Sequence, residues 1–244
     1  MKPLIVGNWK MNTNLADASI LATLIRNQLH DVDGVEVVLC PPFVWLQEVA
    51  SILEVSAPHI HLGAQDCSTE NSGPYTGDVS ASMLKDLCQF VIVGHSERRE
   101  HFAETNDMVS DKVQRALHAG LTPIMCVGER QKHSGSITQV LRDLKESVEG
   151  VEPELYSKLV VAYEPVWSIS TSESGKIATG EYANTVITEI KQKFGKELAV
   201  IYGGSVDASN VVQFMRQPSI DGVLVGAASL KASEFVSICK HARS

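Results

Sequence analysis

The chain has 244 residues, 44% hydrophobic and 20% charged, proportions that suit a globular fold and not a disordered chain. Acidic residues outnumber basic ones 29 to 21, giving a net charge of -8. No basic tract interrupts that balance, which argues against nucleic acid or an anionic membrane as the main partner. No apolar run nears the roughly 18 residues a bilayer span needs, and Met1-Lys2-Pro3-Leu4 leads into no signal-peptide core. The five cysteines, Cys40, Cys67, Cys88, Cys126 and Cys239, are odd in number and include no CxxC pair. They predict buried thiols in a reducing, cytoplasmic setting rather than a disulfide framework or a zinc site.

In chain order, eight short β-branched runs recur: Leu4–Val6, Val35–Leu39, His59–Leu62, Phe90–Val93, Thr122–Cys126, Leu159–Ala162, Leu198–Ile201 and Gly222–Val225. They are too short for helices and read as strands buried on both faces. Longer stretches of helical period lie between them. Thr105–Gly120 is the clearest: Thr105 suits an N-cap, Val109, Val113, Ala116 and Leu117 share a face, and Gly120 suits the residue past the end. Ser205–Gln217 and Gly180–Phe194 read similarly. Eight strand–helix units of about 30 residues make an α/β chain the size of one closed (β/α)8 barrel domain, spanning residues 1–244. The rival, an open doubly wound sheet, usually has fewer strands and often a Gly-x-Gly-x-x-Gly turn, which is missing here.

A barrel of this kind gathers its chemistry just past the strand ends. After the first run, Asn8 and Lys10 share a face, and a lysine there would hold a negative substrate. After the fourth, His95 precedes a short helix whose N-terminus favours a neutral imidazole, able to donate to a carbonyl oxygen. Glu97 follows, and suits a supporting role paired with Arg98 or Lys10. After the sixth, Glu164 lies between a buried strand and Pro165, beside Trp167, an apolar setting that suits a general base. After the seventh and eighth come the small-residue turns Tyr202-Gly203-Gly204-Ser205 and Gly226-Ala227-Ala228-Ser229. Both lead toward helices, so their backbone N–H groups suit an anion such as phosphate. His59 and His61 alternate on a strand without ligands at metal spacing, and Cys126 lacks an adjacent base; both read as structural. A cation, a neutral imidazole, a partly buried carboxylate and a phosphate cradle fit proton abstraction beside a carbonyl on a small phosphorylated substrate.

Asn8-Trp9-Lys10-Met11-Asn12, Gly94-His95-Ser96-Glu97-Arg98-Arg99, Ala162-Tyr163-Glu164-Pro165-Val166-Trp167, Tyr202-Gly203-Gly204-Ser205-Val206 and Leu224-Val225-Gly226 resemble the triosephosphate isomerase family, in order and across the chain. So do Tyr75-Thr76-Gly77 and Cys126-Val127-Gly128-Glu129. The resemblance implies a TIM barrel that interconverts dihydroxyacetone phosphate and D-glyceraldehyde 3-phosphate without cofactor or metal. It implies a place in glycolysis and gluconeogenesis, and a link to the pentose shunt. Glu164 would be the base, His95 the electrophile and Lys10 the electrostatic anchor beside Asn8. Ser170, Ser205, Gly226 and Ala227 would contact phosphate, and Glu97 would support the site. The resemblance also implies a cytoplasmic homodimer, in which the loop Gln65–Val79 carries Thr76 toward the partner's site.

The chain departs from the family where a lid is expected. The family usually reads Trp-Ala-Ile-Gly-Thr-Gly-Lys-x-Ala, whereas here the segment runs Trp167-Ser168-Ile169-Ser170-Thr171-Ser172-Glu173-Ser174-Gly175-Lys176-Ile177-Ala178. The extra length costs only roughly 0.2 kcal/mol in loop closure, so the expectation is an active isomerase with an altered lid. Ala227 also replaces a usual glycine. An aldolase on the same barrel would need a Schiff-base lysine, for which Lys10 is the only rim candidate. A barrel kept only for binding is the other alternative.

Overall fold

The β-branched runs form eight strands: β1 Leu4–Asn8, β2 Glu36–Cys40, β3 Ile60–Ala64, β4 Phe90–Val93, β5 Thr122–Val127, β6 Val160–Tyr163, β7 Ala199–Tyr202 and β8 Gly222–Val225. In this computed structural model, which describes residues 2–54, 58–132, 135–168 and 177–243, each strand pairs in parallel with the next. β8 returns to β1, Leu4 lying opposite Glu36 on one side and Gly222 on the other. The sheet is therefore a closed barrel, and closure leaves its strands no edge to protect.

Side-chain parity divides each strand between two cores. Val6, Val38, Cys40, Ile92, Ile124, Cys126, Ala162, Ile201 and Leu224 fill the barrel interior. Their neighbours Ile5, Val37, Val91, Val161, Val200 and Val223 point outward, into the layer covered by helices. All five cysteines are buried free thiols.

The helices are set by caps and by one apolar face. Leu15–Leu29 buries Ala18, Leu21, Ala22, Ile25 and Leu29 at helical spacing. Helix Asn106–Ala119 begins where Thr105 accepts the Met108 N–H, and ends at Gly120 with φ 84°, as the sequence predicts. Gly180–Phe194 also forms over its predicted span, capped by Thr179. The stretch Ser205–Gln217 does not: its helix covers only Val211–Met215. Asp207 is the reason. Its carboxylate accepts the N–H groups of Ser209 and Asn210, and the Asn210 side chain accepts the Asp207 N–H. These local bonds hold a turn in place of the first helical turn.

One polar residue of helix Asn106–Ala119 is buried in a charged network. Lys112 Nζ bonds to Asp66 at 2.7 Å and to Glu104, and Arg98 Nε reaches the same two carboxylates at 2.9 and 2.5 Å. This network ties the start of the loop 65–79, which contains neither strand nor helix, to the barrel.

Candidate active site

The interior parity of the strands carries straight on into the barrel mouth. Val6 faces the interior, so Asn8 and then Lys10 follow it; Ala162 does likewise for Glu164, Ile201 for Gly203 and Leu224 for Gly226. Backbone bonds prolong the ladder past the strand ends. Glu164 N–H donates to Val127 carbonyl at 2.8 Å, and Gly203 N–H to Tyr163 carbonyl at 2.8 Å. The result is a cavity of about 220 Å³ lined by Asn8, Lys10, His95, Glu164, the turn Gly203–Asp207, Leu224 and Gly226–Ala228.

Glu164 and His95 meet inside it. The carboxylate is buried, and its Oε1 lies 3.1 Å from His95 Nε2. His95 caps the short helix Ser96–His101: its Nδ1 accepts the Glu97 N–H at 3.2 Å. With Nδ1 accepting, a neutral ring carries its proton on Nε2, facing Glu164. The other carboxylate oxygen accepts the Ser96 N–H at 3.1 Å. Ser96 is a contact that residue-type reasoning missed, because a backbone donor leaves no trace in composition. Gly128 is another: a Cβ there would sit 1.7 Å from the Glu164 carbonyl oxygen, so only glycine lets Glu164 approach β5 this closely.

Lys10 adopts φ 53°, a left-handed conformation uncommon for a lysine. Two side chains hold it there. Asn8 Oδ1 accepts the Lys10 N–H at 3.0 Å, and Gln65 Nε2 donates to the Lys10 carbonyl at 2.9 Å. The ammonium meets Glu97 Oε1 at 2.5 Å, which settles the partner of Glu97 as Lys10; Arg98 turns instead to Asp66 and Glu104. The lysine stem crosses the β8 turn, since a Cβ on Gly226 would lie 3.4 Å from Lys10 Cε. A fixed cation therefore stands beside the small-residue turns.

Of the residues expected at phosphate, Ser205, Gly226 and Ala227 line the cavity, while Ser170 lies outside the described residues, as does Glu173. The Ser205 hydroxyl is committed elsewhere, donating to the Ser168 carbonyl at 2.9 Å. The β8 turn runs into the 3-10 turn Ala227–Leu230 before helix Ala232–His241, so short-turn N–H groups, rather than a long helix, end at the cavity. Thr76 is exposed in its loop.

Trp167 does not line the cavity with Glu164. Its indole N–H donates to Glu129 at 2.9 Å, and Glu129 also accepts the hydroxyls of Tyr163 and Tyr182, each at 2.9 Å. This buried carboxylate anchors the segment after Glu164 from outside the barrel. Cys126 is fully buried, and burial together with the nearby Glu164 pushes its thiol far up, so it stays protonated as packing. His59 bonds to the Leu29 carbonyl at 2.9 Å and His61 to Glu36 at 2.9 Å, both structural.

Known proteins share this architecture. A family model described as triosephosphate isomerase matches residues 3–242. Triosephosphate isomerase of Dehalococcoides mccartyi strain CBDB1 is 45% identical, over 98% of this chain and 96% of that protein. The enzyme of Alkaliphilus oremlandii is 43% identical, over 97% and 98%. The crystal structure of triosephosphate isomerase from Bartonella henselae superposes with a TM-score of 0.86 at 34% identity, covering 100% of both chains. With a closed eightfold barrel and a match over nearly its whole length, the chain belongs to the triosephosphate isomerase family.

Proposed function

We propose that the chain interconverts dihydroxyacetone phosphate and D-glyceraldehyde 3-phosphate through an enediolate, serving glycolysis and gluconeogenesis. The observation that carries this reading is the 3.1 Å pairing of the Glu164 carboxylate with His95 Nε2 in one cavity with Lys10.

Glu164 takes a proton from C1 of the ketone. The C1–H electron pair becomes the C1–C2 double bond, and the carbonyl π pair moves onto O2. His95 Nε2–H and the Lys10 ammonium donate to the oxygen as this charge grows, where preorganised donors are worth most. Glu164 then returns the proton to C2, and the hydroxyl proton is redistributed through His95, so that ketose becomes aldose with no net change in atoms. A carboxylate base working beside a neutral histidine is the established assignment for triosephosphate isomerases, a standard example of pKa tuning, and it is carried over to these two residues. Asn8 keeps Lys10 in place and Glu97 restrains its ammonium. The turns at Gly203–Ser205 and Gly226–Ala227, with Ser170, supply N–H groups to the phosphate.

The working form is read as a cytoplasmic homodimer of single-domain barrels, residues 1–244. Five buried free thiols agree with a reducing compartment. The exposed apolar side chains Met11, Val44, Tyr75, Met83 and Phe102 favour a partner surface that includes loop 65–79 and Thr76. A coupled assay on the purified chain, run from each triose phosphate, tests the activity; no turnover in either direction ends this reading. Light scattering after size exclusion tests the dimer.

A further inference from the structure

Ser168 stands where the family pattern has alanine, and it is fully buried. Its Oγ accepts the Ala178 N–H at 2.6 Å and lies 3.4 Å from the Tyr202 hydroxyl. Its carbonyl accepts the Ser205 hydroxyl at 2.9 Å. Its own N–H is committed to the Pro165 carbonyl at 2.7 Å. One side chain and its peptide group thus connect three places: the turn after Glu164, the residue before the cap of helix Gly180–Phe194, and the β7 turn.

Tyr202 passes this tie to the cavity wall. Its ring stacks on Phe214 with centroids 4.1 Å apart, which fixes the phenol. Gly204 packs on that phenol so closely that a Cβ would lie 2.1 Å from the hydroxyl oxygen. Burial pushes the Tyr202 phenol up to about 12, so it remains a hydroxyl at any working pH. Gly204 and Ser205 line the same cavity as Glu164 and His95. An alanine at 168 would keep the carbonyl contact to Ser205. It would leave the buried Ala178 N–H without its acceptor.

We propose that Ser168 is a positioning residue: its hydroxyl and carbonyl hold the Gly203–Ser205 turn against both ends of the 168–178 segment, and so set the cavity wall that receives the substrate's phosphate. The proposal rests on the functional reading above and deepens it for this chain's own departure from the family. The phosphate group does not react. A wall that drifts therefore weakens substrate and transition state alike, which raises KM and leaves kcat.

The test is Ser168→Ala. The expected result is a rise of about tenfold in KM for both triose phosphates, the size of one lost buried hydrogen bond, with kcat within about twofold. Inorganic phosphate, titrated as a competitive inhibitor and by direct binding, should weaken by a similar factor. Unchanged KM and unchanged phosphate affinity overturn the proposal, and so does a fall in kcat at constant KM. If the variant does not fold, amide exchange at Ala178 in the unaltered protein decides: saturating inorganic phosphate must slow it about tenfold, and no change overturns the proposal. Lack of turnover by the unaltered chain strikes the isomerase reading instead, while phosphate binding and amide exchange judge Ser168 separately.

Discussion

Glu164 and His95 share a 3.1 Å contact, while the second carboxylate oxygen of Glu164 rests on the Ser96 N–H at 3.1 Å. Two donors hold the Glu164 carboxylate, and under the proposed mechanism a substrate would take over the place of at least one. Glu164→Gln preserves shape and removes the proton acceptor. Its kcat should fall on the order of 1,000-fold with KM nearly constant, because the loss is confined to the transition state. His95→Gln should cost on the order of 100-fold in kcat. Steady-state kinetics in both directions check this; retained turnover in the Glu164 variant would remove the base from its assigned position.

The Lys10–Glu97 pair gives a second prediction. With the ammonium 2.5 Å from one carboxylate and beside the β8 turn, its charge is aimed rather than diffuse. Lys10→Met should lower kcat/KM on the order of 1,000-fold and flatten its dependence on ionic strength, since screening has one less charge to act on. Glu97→Gln should cost far less, about tenfold, because the lysine stays charged and Asn8 and Gln65 still hold its backbone. An equal loss in the two variants would contradict the supporting part given to Glu97.

Gly128→Ala places a methyl group 1.7 Å from the Glu164 carbonyl oxygen. The backbone must move, and the strain should destabilise the fold by about 1–3 kcal/mol. The move displaces Glu164 itself, so activity should drop by about 100-fold or more in the molecules that remain folded. Thermal unfolding and kinetics on the same preparation check both parts. A wild-type melting temperature with wild-type kcat would mean that the β5–β6 approach is looser than described.

The buried network around Lys112 carries a pH signature. Burial, the largest influence, pushes Asp66 up to about 6 from its ordinary 3.8, despite Lys112 and Arg98. The folded chain then binds that proton more tightly than the unfolded chain. Its contribution to stability is full below about pH 4 and is lost as pH rises through about 6. Glu104 acts with the opposite sign. Burial pushes it up, but its bonds and charge contacts with Lys112 and Arg98 outweigh burial and hold it below the usual range. Its contribution is present above about pH 4.5 and fades as pH falls further. Relative to Asp66→Asn, the parent should lose up to roughly 3 kcal/mol between pH 4 and 7. Urea unfolding across that range tests it, and parallel profiles would show that Asp66 does not titrate there.

The strands were legible because a barrel strand is buried on both faces, so most appear as short, largely apolar runs. Val160–Tyr163 and Gly222–Val225 differ from their predicted bounds by at most one residue. The helix predicted from Ser205 was not, because Asp207 and Asn210 satisfy backbone groups locally and periodicity does not register that competition. The side chains just past the strand ends could be named, Asn8 and Lys10 from alternation, His95 from the helix start after it and Glu164 from its place between a buried strand and Pro165, and Lys10, His95 and Glu164 do line one cavity. What parity cannot supply is pairing. Lys10 and Arg98 were equal partners for Glu97 on charge, and Trp167 had the composition of a site wall while its indole is bound to Glu129. Lys112 was hidden for the same reason: a lysine within a helix looks solvated until its carboxylates, 46 residues and 8 residues away, are brought to it.

The placement of the thiols has a consequence for how this protein ages. Cys40 and Cys126 face into the barrel, and the other three pack in the core outside it, so a thiol-specific alkylating reagent finds no sulfhydryl on the native surface. Modification of the thiols must wait for the shell to open. The rate at which sulfhydryls are consumed by such a reagent then becomes a clock for unfolding, ticking only for molecules that have already lost their shape.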